Sequence, residues 1–292
     1  MKQEPKVWPA LIIGAGISGL GAAEALERRG IAPLVVDADE RPGETWRRRH
    51  PQLRLNTHRV ASSLPGLEMP RSVGAYPHRD DVARYVGEYE KRLYAEVRHG
   101  VRVDRLSRAD GLWQAETSDG ALLARNVIVA TGYDREPHVP SWPVLSAWSG
   151  QLVHAADLGD VRNYAGKRVL VVGAGNSGCD VINQLVRVDT ADLMVSVRHG
   201  PSIIPKWIGP FPMMRLTPAL AKIPTPILDP LVAGIARVMF GDLRRYGLTR
   251  HPLGLSRRLK STGIAPAIDD GMVAAIRSGR VKVVPEIEYF RE

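Results

Sequence analysis

Leu11-Ile12-Ile13-Gly14-Ala15-Gly16-Ile17-Ser18-Gly19-Leu20-Gly21 is the stretch whose reading decides the fold. Apolar Leu11 to Ile13 reads as a buried strand, and Gly14, Gly16 and Gly19 carry the spacing G-x-G-x-x-G. Ser18 to Arg29 reads as a helix stopped by Gly30. The first glycine permits the tight turn, the second lets backbone approach a pyrophosphate, and the third lets helix pack on strand. The helix start, with unpaired N–H groups and a positive dipole end, faces the phosphates. Eighteen residues beyond Gly19, Leu34-Val35-Val36-Asp37 forms a second strand ending in an acid. That carboxylate can accept hydrogen bonds from an adenosine ribose. A lone glycine fingerprint also fits a bare turn, but strand, helix, second strand and acid together outweigh that reading.

The device recurs. Val169-Leu170-Val171-Val172-Gly173-Ala174-Gly175-Asn176-Ser177-Gly178 repeats it, with Gly173 placed 159 residues after Gly14. Its second strand, Leu193 to Val197, ends in Arg198, which stands where the first copy has Asp37. Two dinucleotide sites predict two cofactors that exchange electrons. The acid suits an unmodified ribose, and Arg198 suits a ribose 2′-phosphate. Lys206, in Pro201 to Trp207, offers a further cation near the phosphate end. FAD at the first site and NADPH at the second is the assignment that follows. The expected fold class is α/β: two Rossmann-like domains in three layers, with a small β-meander in the first. The expected division is 1–147 for FAD and 148–292 for NADPH.

Composition bounds the alternatives. The chain has 292 residues, 44% hydrophobic and 24% charged, ordinary for a water-soluble globular protein. A net charge of +9 could suggest nucleic acid. The arginines are scattered through amphipathic segments, however, so a nucleic-acid partner is not expected. The single cysteine, Cys179, allows no disulfide within the chain and fits a reducing, cytoplasmic setting. It also leaves no cysteine pair for disulfide reduction. A helix start could lower the Cys179 pKa, but close packing of a small side chain is the better reading. No signal peptide is expected before the first strand, after the charged start Met1-Lys2-Gln3-Glu4. Ile223 to Phe240 is apolar but broken by Pro224, Pro226, Asp229, Pro230 and Arg237, a poor membrane span. A packed helix is expected there, with a lid or membrane-surface helix as the other possibility.

Between these anchors the pattern is coarser. Arg41 to Arg49 reads as a turn and a cationic run placed to contact the first cofactor. Residues 61–77 form a proline- and serine-rich connection. Asp80 or Asp81 should cap a helix running to about Val97. Val101 to Leu106 and Trp113 to Thr117 read as strands, joined through Ser118-Asp119-Gly120 to a third that ends in Asn126 to Gly132. The small residues of Ala130-Thr131-Gly132 would let a nucleotide come close. Pro137 to Pro143 looks like a domain boundary, and Gly241 to Gly263 reads as basic and irregular. A short helix, Asp270 to Arg277, and a strand, Val281 to Val284, close the pattern.

Taken together these residues resemble the flavin-containing monooxygenases, in particular soluble bacterial and YUCCA-like members. The matching stretches are the two glycine motifs, Gly43-Glu44-Thr45-Trp46, Ala130-Thr131-Gly132, Tyr246-Gly247-Leu248 and Ile276-Arg277-Ser278-Gly279. The family signature F-x-G-x-x-x-H-x-x-x-(aromatic) is met by Gly150 and His154, with Trp148 in place of Phe and Leu158 in place of the aromatic. The resemblance implies that NADPH reduces FAD and that O2 then gives a flavin C4a-hydroperoxide, which delivers one oxygen atom to a small organic substrate. It implies cofactor contacts from Gly14, Gly16, Gly19, Asp37, Glu44, Trp46 and Thr131 in the first half. In the second half it implies Gly173, Gly175, Asn176, Ser177, Gly178, Arg198 and Lys206. Asn56 aligns with an asparagine near the flavin peroxide; holding its own loop is the equal alternative. No metal and no acid–base triad are expected. A Baeyer–Villiger monooxygenase and a non-catalytic flavin-binding fragment are the alternatives. The family's chain returns to the FAD domain through another Ala-Thr-Gly-like turn. None follows Val284 here, so weak FAD binding is a further expectation.

Overall fold

The computed structural model describes residues 6–133, 136–143, 145, 148–249 and 251–289. Met1 to Glu4, the residues at the expected 147 cut and the last three residues lie outside them. Two compact units emerge from the contacts: Met1–Arg49 with Ser62–Pro137, and His50–Ala61 with His138–Glu292. The main boundary falls at Pro137, in the stretch Pro137 to Pro143 read as a boundary, ten residues before the expected cut at 147, and 50–61 groups with the second unit.

The first unit opens with β1 (Val7–Trp8), β2 (Leu11–Ile13), α1 (Ile17–Glu27) and β3 (Leu34–Val36). The short α2 (Glu44–Arg47) and the longer α3 (Arg79–Glu90) follow, then β4 (Glu96–Arg98). Strands β5 (Val103–Ala109), β6 (Leu112–Thr117), β7 (Gly120–Ala124) and β8 (Val127–Val129) complete it. One sheet is fully parallel, in the order β4-β3-β2-β8, with Leu11 opposite both Leu34 and Val127. Its β2 and β3 are short apolar runs rather than alternating ones, because α1 covers one face and the meander's side chains pack on the other. The second sheet, β1-β7-β6-β5, is the meander with β1 added in parallel on β7. Trp8, Leu11, Leu34, Val36, Ala115 and Ala124 form the core on this side.

Three sequence expectations change here. The helix of residues 79–90 stops well before Val97, which lies in β4 opposite Val35. Its cap is His78, whose ring accepts from the Asp80 N–H while Asp81 accepts from the His78 N–H. Asp81 is thus the reciprocal member of the box. Finally, the strand expected to run from the turn at Gly120 to Gly132 is two strands in different sheets. Arg125 and Asn126 make the step, with Asn126 bonded to the Pro9 carbonyl.

In the second unit β9 (Arg168–Val172), α4 (Asn176–Leu185) and β10 (Asp192–Ser196) repeat the opening of the first. Then come β11 (Ile203–Pro205), the hairpin β12 (Trp207–Ile208) and β13 (Phe211–Pro212), and helices α5 (Thr217–Leu220), α6 (Thr225–Phe240) and α7 (Leu255–Thr262). The unit ends in β14 (Ala267–Asp269), α8 (Met272–Arg277) and β15 (Lys282–Val284). The parallel order is β15-β10-β9, and β11 pairs with β14. Cys179, Ile182, Leu185, Leu193, Val195 and Met272 lie at its core, essentially without exposure.

The stretch Gly241 to Gly263 is not irregular throughout, because it contains a 3-10 turn (Leu243–Tyr246) and α7. The signal for α7 is remote. The Asp229 carboxylate, on α6, accepts from the Ser256 N–H at 2.6 Å and so caps α7. Among the described residues no helix is long and apolar enough to cross a membrane.

Candidate cofactor sites

The two glycine motifs have one geometry. A Cβ on Gly19 would lie 1.8 Å from the Gly14 carbonyl oxygen, and one on Gly178 would lie 1.9 Å from that of Gly173. The third glycine therefore seats each helix against the turn. Gly14 has φ +109° and a Cβ there would meet the Ala130 carbonyl at 2.4 Å. This contact is with backbone, so it is position 14 that must be glycine. The middle glycines differ in kind, since a Cβ on Gly16 or on Gly175 meets nothing within 4 Å. No side chain caps α1 or α4, and neither has an acid in its first turn. The chain can build a full capping box, as α3 shows. It leaves these two helix starts open to an anion.

Register separates the strand ends. Gly14 N–H donates to Val36 O and Gly173 N–H donates to Ser196 O, so Val36 matches Ser196. Asp37 therefore matches Val197, and Arg198 lies one residue further on, opposite Ala38 of the first copy. The sequence-based equivalence of Asp37 and Arg198 is corrected by one residue. Asp37 Oδ2 accepts from Ala15 N–H at 2.5 Å and Oδ1 accepts from Asp39 N–H at 2.7 Å. A carboxylate has about four acceptor positions, which leaves capacity for a ribose hydroxyl. The Arg198 side chain is 70% exposed, with Glu286 3.7 Å away. Lys206 is different. Its side chain is buried and its Nζ lies 3.5 Å from Asp270, which Arg187 also contacts. Its charge is directed into that cluster.

The remaining residues fall around these cradles. Gly43 has φ +75°, and a Cβ there would press on the Ala83 backbone at 2.7 Å, so it sets α2 against α3. Glu44 starts α2 and accepts from Arg41 Nε at 2.5 Å; the guanidinium holds its carboxyl below the usual range. Trp46 is half-buried on α2, and Thr131 is exposed beyond β8. Ser177 is exposed in the first turn of α4. Asn56 Nδ2 donates to Asn176 Oδ1 at 2.8 Å, joining a predicted catalytic residue to the second glycine motif.

That contact belongs to a strap the sequence did not reveal. His50 Nε2 lies 3.1 Å from Asp180 Oδ2 on α4, and Gln52 Nε2 donates to Asp160 Oδ1 at 3.1 Å. His50 Nδ1 and Gln52 Oε1 are buried without a hydrogen-bond partner among the described residues. The partners are 108 to 130 residues apart in sequence, beyond any local pattern. In the signature stretch, the Trp148 ring fills the space a Cβ on Gly150 would need. His154 Nδ1 accepts from Ala156 N–H, which orients the connection, and Leu158 is buried in the core. Cys179 is fully buried with Sγ facing the Ile268 carbonyl, and burial pushes its thiol up rather than down.

Known proteins are similar to this chain in sequence and in fold. A family model described as pyridine nucleotide-disulphide oxidoreductase matches residues 11–219. The chain is 32% identical to an indole-3-pyruvate monooxygenase, YUCCA1, of Oryza sativa subsp. japonica, over 98% of this chain and 72% of that protein. It is 31% identical to the probable indole-3-pyruvate monooxygenase YUCCA9 of Arabidopsis thaliana, over 96% and 68%. Among solved structures, a flavin-containing monooxygenase from Stenotrophomonas maltophilia superposes with a TM-score of 0.73 at 25% identity, covering 99% of this chain and 72% of its own. A steroid monooxygenase bound to NADP shares the fold, with a TM-score of 0.71 at 18% identity over 98% and 68%. With both glycine cradles built alike, this chain belongs to the flavin-containing monooxygenase family of oxidoreductase enzymes, within the wider pyridine nucleotide-disulphide oxidoreductase class.

Proposed function

We propose that the chain binds FAD on the first unit and NADPH on the second, and uses them to insert one atom of O2 into a small organic substrate. One observation carries this: the same open glycine cradle is built twice, and the two strand ends differ in charge. Gly16 and Gly175 leave room where pyrophosphates would lie, and the bare starts of α1 and α4 supply N–H donors. Bound flavin supplies the redox and oxygen chemistry. The chain's own part is to bind, orient and exclude water.

Asp37 receives the ribose of the first cofactor. Glu44, Trp46 and Thr131 are its outlying contacts. Gly173, Gly175, Gly178, Asn176 and Ser177 hold the second pyrophosphate, and Arg198 takes the 2′-phosphate. Lys206, held beside Asp270, adds positive charge near the phosphate end. An amide has two N–H donors; Asn56 spends one on Asn176, and the other serves the role near the flavin peroxide that the family resemblance implies. The relatives' printed substrate, indole-3-pyruvate, is the first to assay. Anaerobic titration of the flavin-loaded protein tests the cofactor assignment: NADPH should bleach the flavin band at far lower concentration than NADH. Equal titration by both would count against Arg198.

A further inference from the structure

Helix α6 has two apolar faces. Leu228 and Val232 turn inward against Ile204 and Ile268, and Phe240 is buried near the other core. On the outer side Ile227 is 60% exposed, Leu231 46% and Val238 86%. These three follow one another at spacings of four and seven, a line along one side of a helix about 24 Å long. Met239 and Arg237 are exposed on the same helix. An exposed apolar line on a helix whose other face is already packed marks an interaction surface.

The surroundings say what. Residues 215–263 hold nine lysines and arginines against two aspartates, so this stretch carries +7 of the chain's +9. Both aspartates are occupied at home. Asp229 caps α7, and Asp242 is gripped by the Arg244 guanidinium at 2.9 and 2.7 Å. The basic α7 is tied to α6 by Lys260 Nζ donating to Thr225 Oγ1 at 2.7 Å. Arg245 and Arg257 are exposed, as is the apolar Leu259 on α7.

We propose that α6 and its basic surround form a docking face for an anionic lipid bilayer, with the helix lying in the plane of the interface. The apolar line enters the headgroup boundary while the arginines and lysines sit over acidic headgroups. A second copy is a poorer occupant, because a symmetric contact through this face sets two strongly basic patches against each other.

Flotation of the whole protein with vesicles tests this, using equimolar phosphatidylglycerol and phosphatidylcholine against phosphatidylcholine alone. Binding to the anionic vesicles should be at least about tenfold stronger and should fall steeply with added salt. Two variants separate the components: Leu231→Gln with Val238→Gln, and Arg245→Gln with Arg257→Gln. Each should weaken flotation by about tenfold, with an unchanged circular dichroism melting curve. Should the first variant misfold, Val238→Gln alone, at the most exposed position, should still weaken binding. Equal binding to both vesicles, no flotation, or variants that float like the parent would overturn the proposal. So would a concentration-dependent dimer that Leu231→Gln with Val238→Gln abolishes.

Discussion

Gly16 and Gly19 lie three residues apart and answer to different constraints. A Cβ at Gly16 meets no protein atom within 4 Å, so Gly16→Val should fold normally yet lose FAD. Gly19→Val drives a side chain into the Gly14 carbonyl and should cost at least about 3 kcal/mol of stability. Melting curves and flavin content of the two purified variants give the readout; flavin retained at full occupancy by Gly16→Val would contradict the cradle. Arg198 belongs to the same scale. A charge-assisted hydrogen bond is worth roughly 1.5–3 kcal/mol, about ten- to a hundredfold in affinity. Arg198→Ala should weaken NADPH binding by that factor and leave NADH nearly unchanged; equal losses would remove Arg198 from the phosphate site. Asn56→Ala should still accept hydride but release more hydrogen peroxide per NADPH, and unchanged coupling would leave Asn56 as a loop residue. The glycine spacing made these positions legible in sequence. The offset of Arg198 from Asp37 was not, because only the backbone bonds of Gly14 and Gly173 show which strand residue faces the turn.

At the scale of elements, ion pairs tie strands and helices in ways that pH can probe. His99, just after β4, lies 3.0 Å from both Glu90 oxygens through Nε2 and 3.2 Å from the Asp39 carbonyl through Nδ1. Both partners are acceptors, so only the doubly protonated ring satisfies both. The hydrogen bond that His99 donates to Glu90 raises the His99 pKa, with burial opposing it. A group with a raised folded pKa stabilises the fold fully below its unfolded value of about 6.5, and that contribution is lost as pH climbs through the folded value. The melting temperature should therefore fall above about pH 6.5 by an amount corresponding to about 1 kcal/mol. Glu90→Gln should flatten this dependence, and a difference between parent and variant that does not change with pH would refute the link. Helices α1 and α4 were legible from the glycine motifs that open them, and α3 from its capping acid and apolar spacing. The end of α3 was not, since β4 is set by pairing with β3. Likewise α7 depends on an aspartate 27 residues away in sequence, and the strap at 50–61 on partners more than a hundred away.

For the whole molecule, the repeat was the strongest sequence signal: a strand, three glycines and a helix, twice, with different charges beyond the second strand. It pointed to two nucleotide-binding units. The grouping of 50–61 with the second unit was hidden, because its reasons are side-chain contacts rather than patterns. Substrate choice was equally hidden, since apolar residues that shape a pocket have no motif. The central claim is that both cradles work together in oxygen insertion. The most direct measurement is mass spectrometry of the product formed by the purified, flavin-loaded protein with NADPH, isotopically labelled O2 and a turned-over substrate, indole-3-pyruvate first. One labelled oxygen atom per product molecule, with NADPH consumed in proportion, is the predicted result; product oxygen drawn from water, or product formed without NADPH, would contradict it.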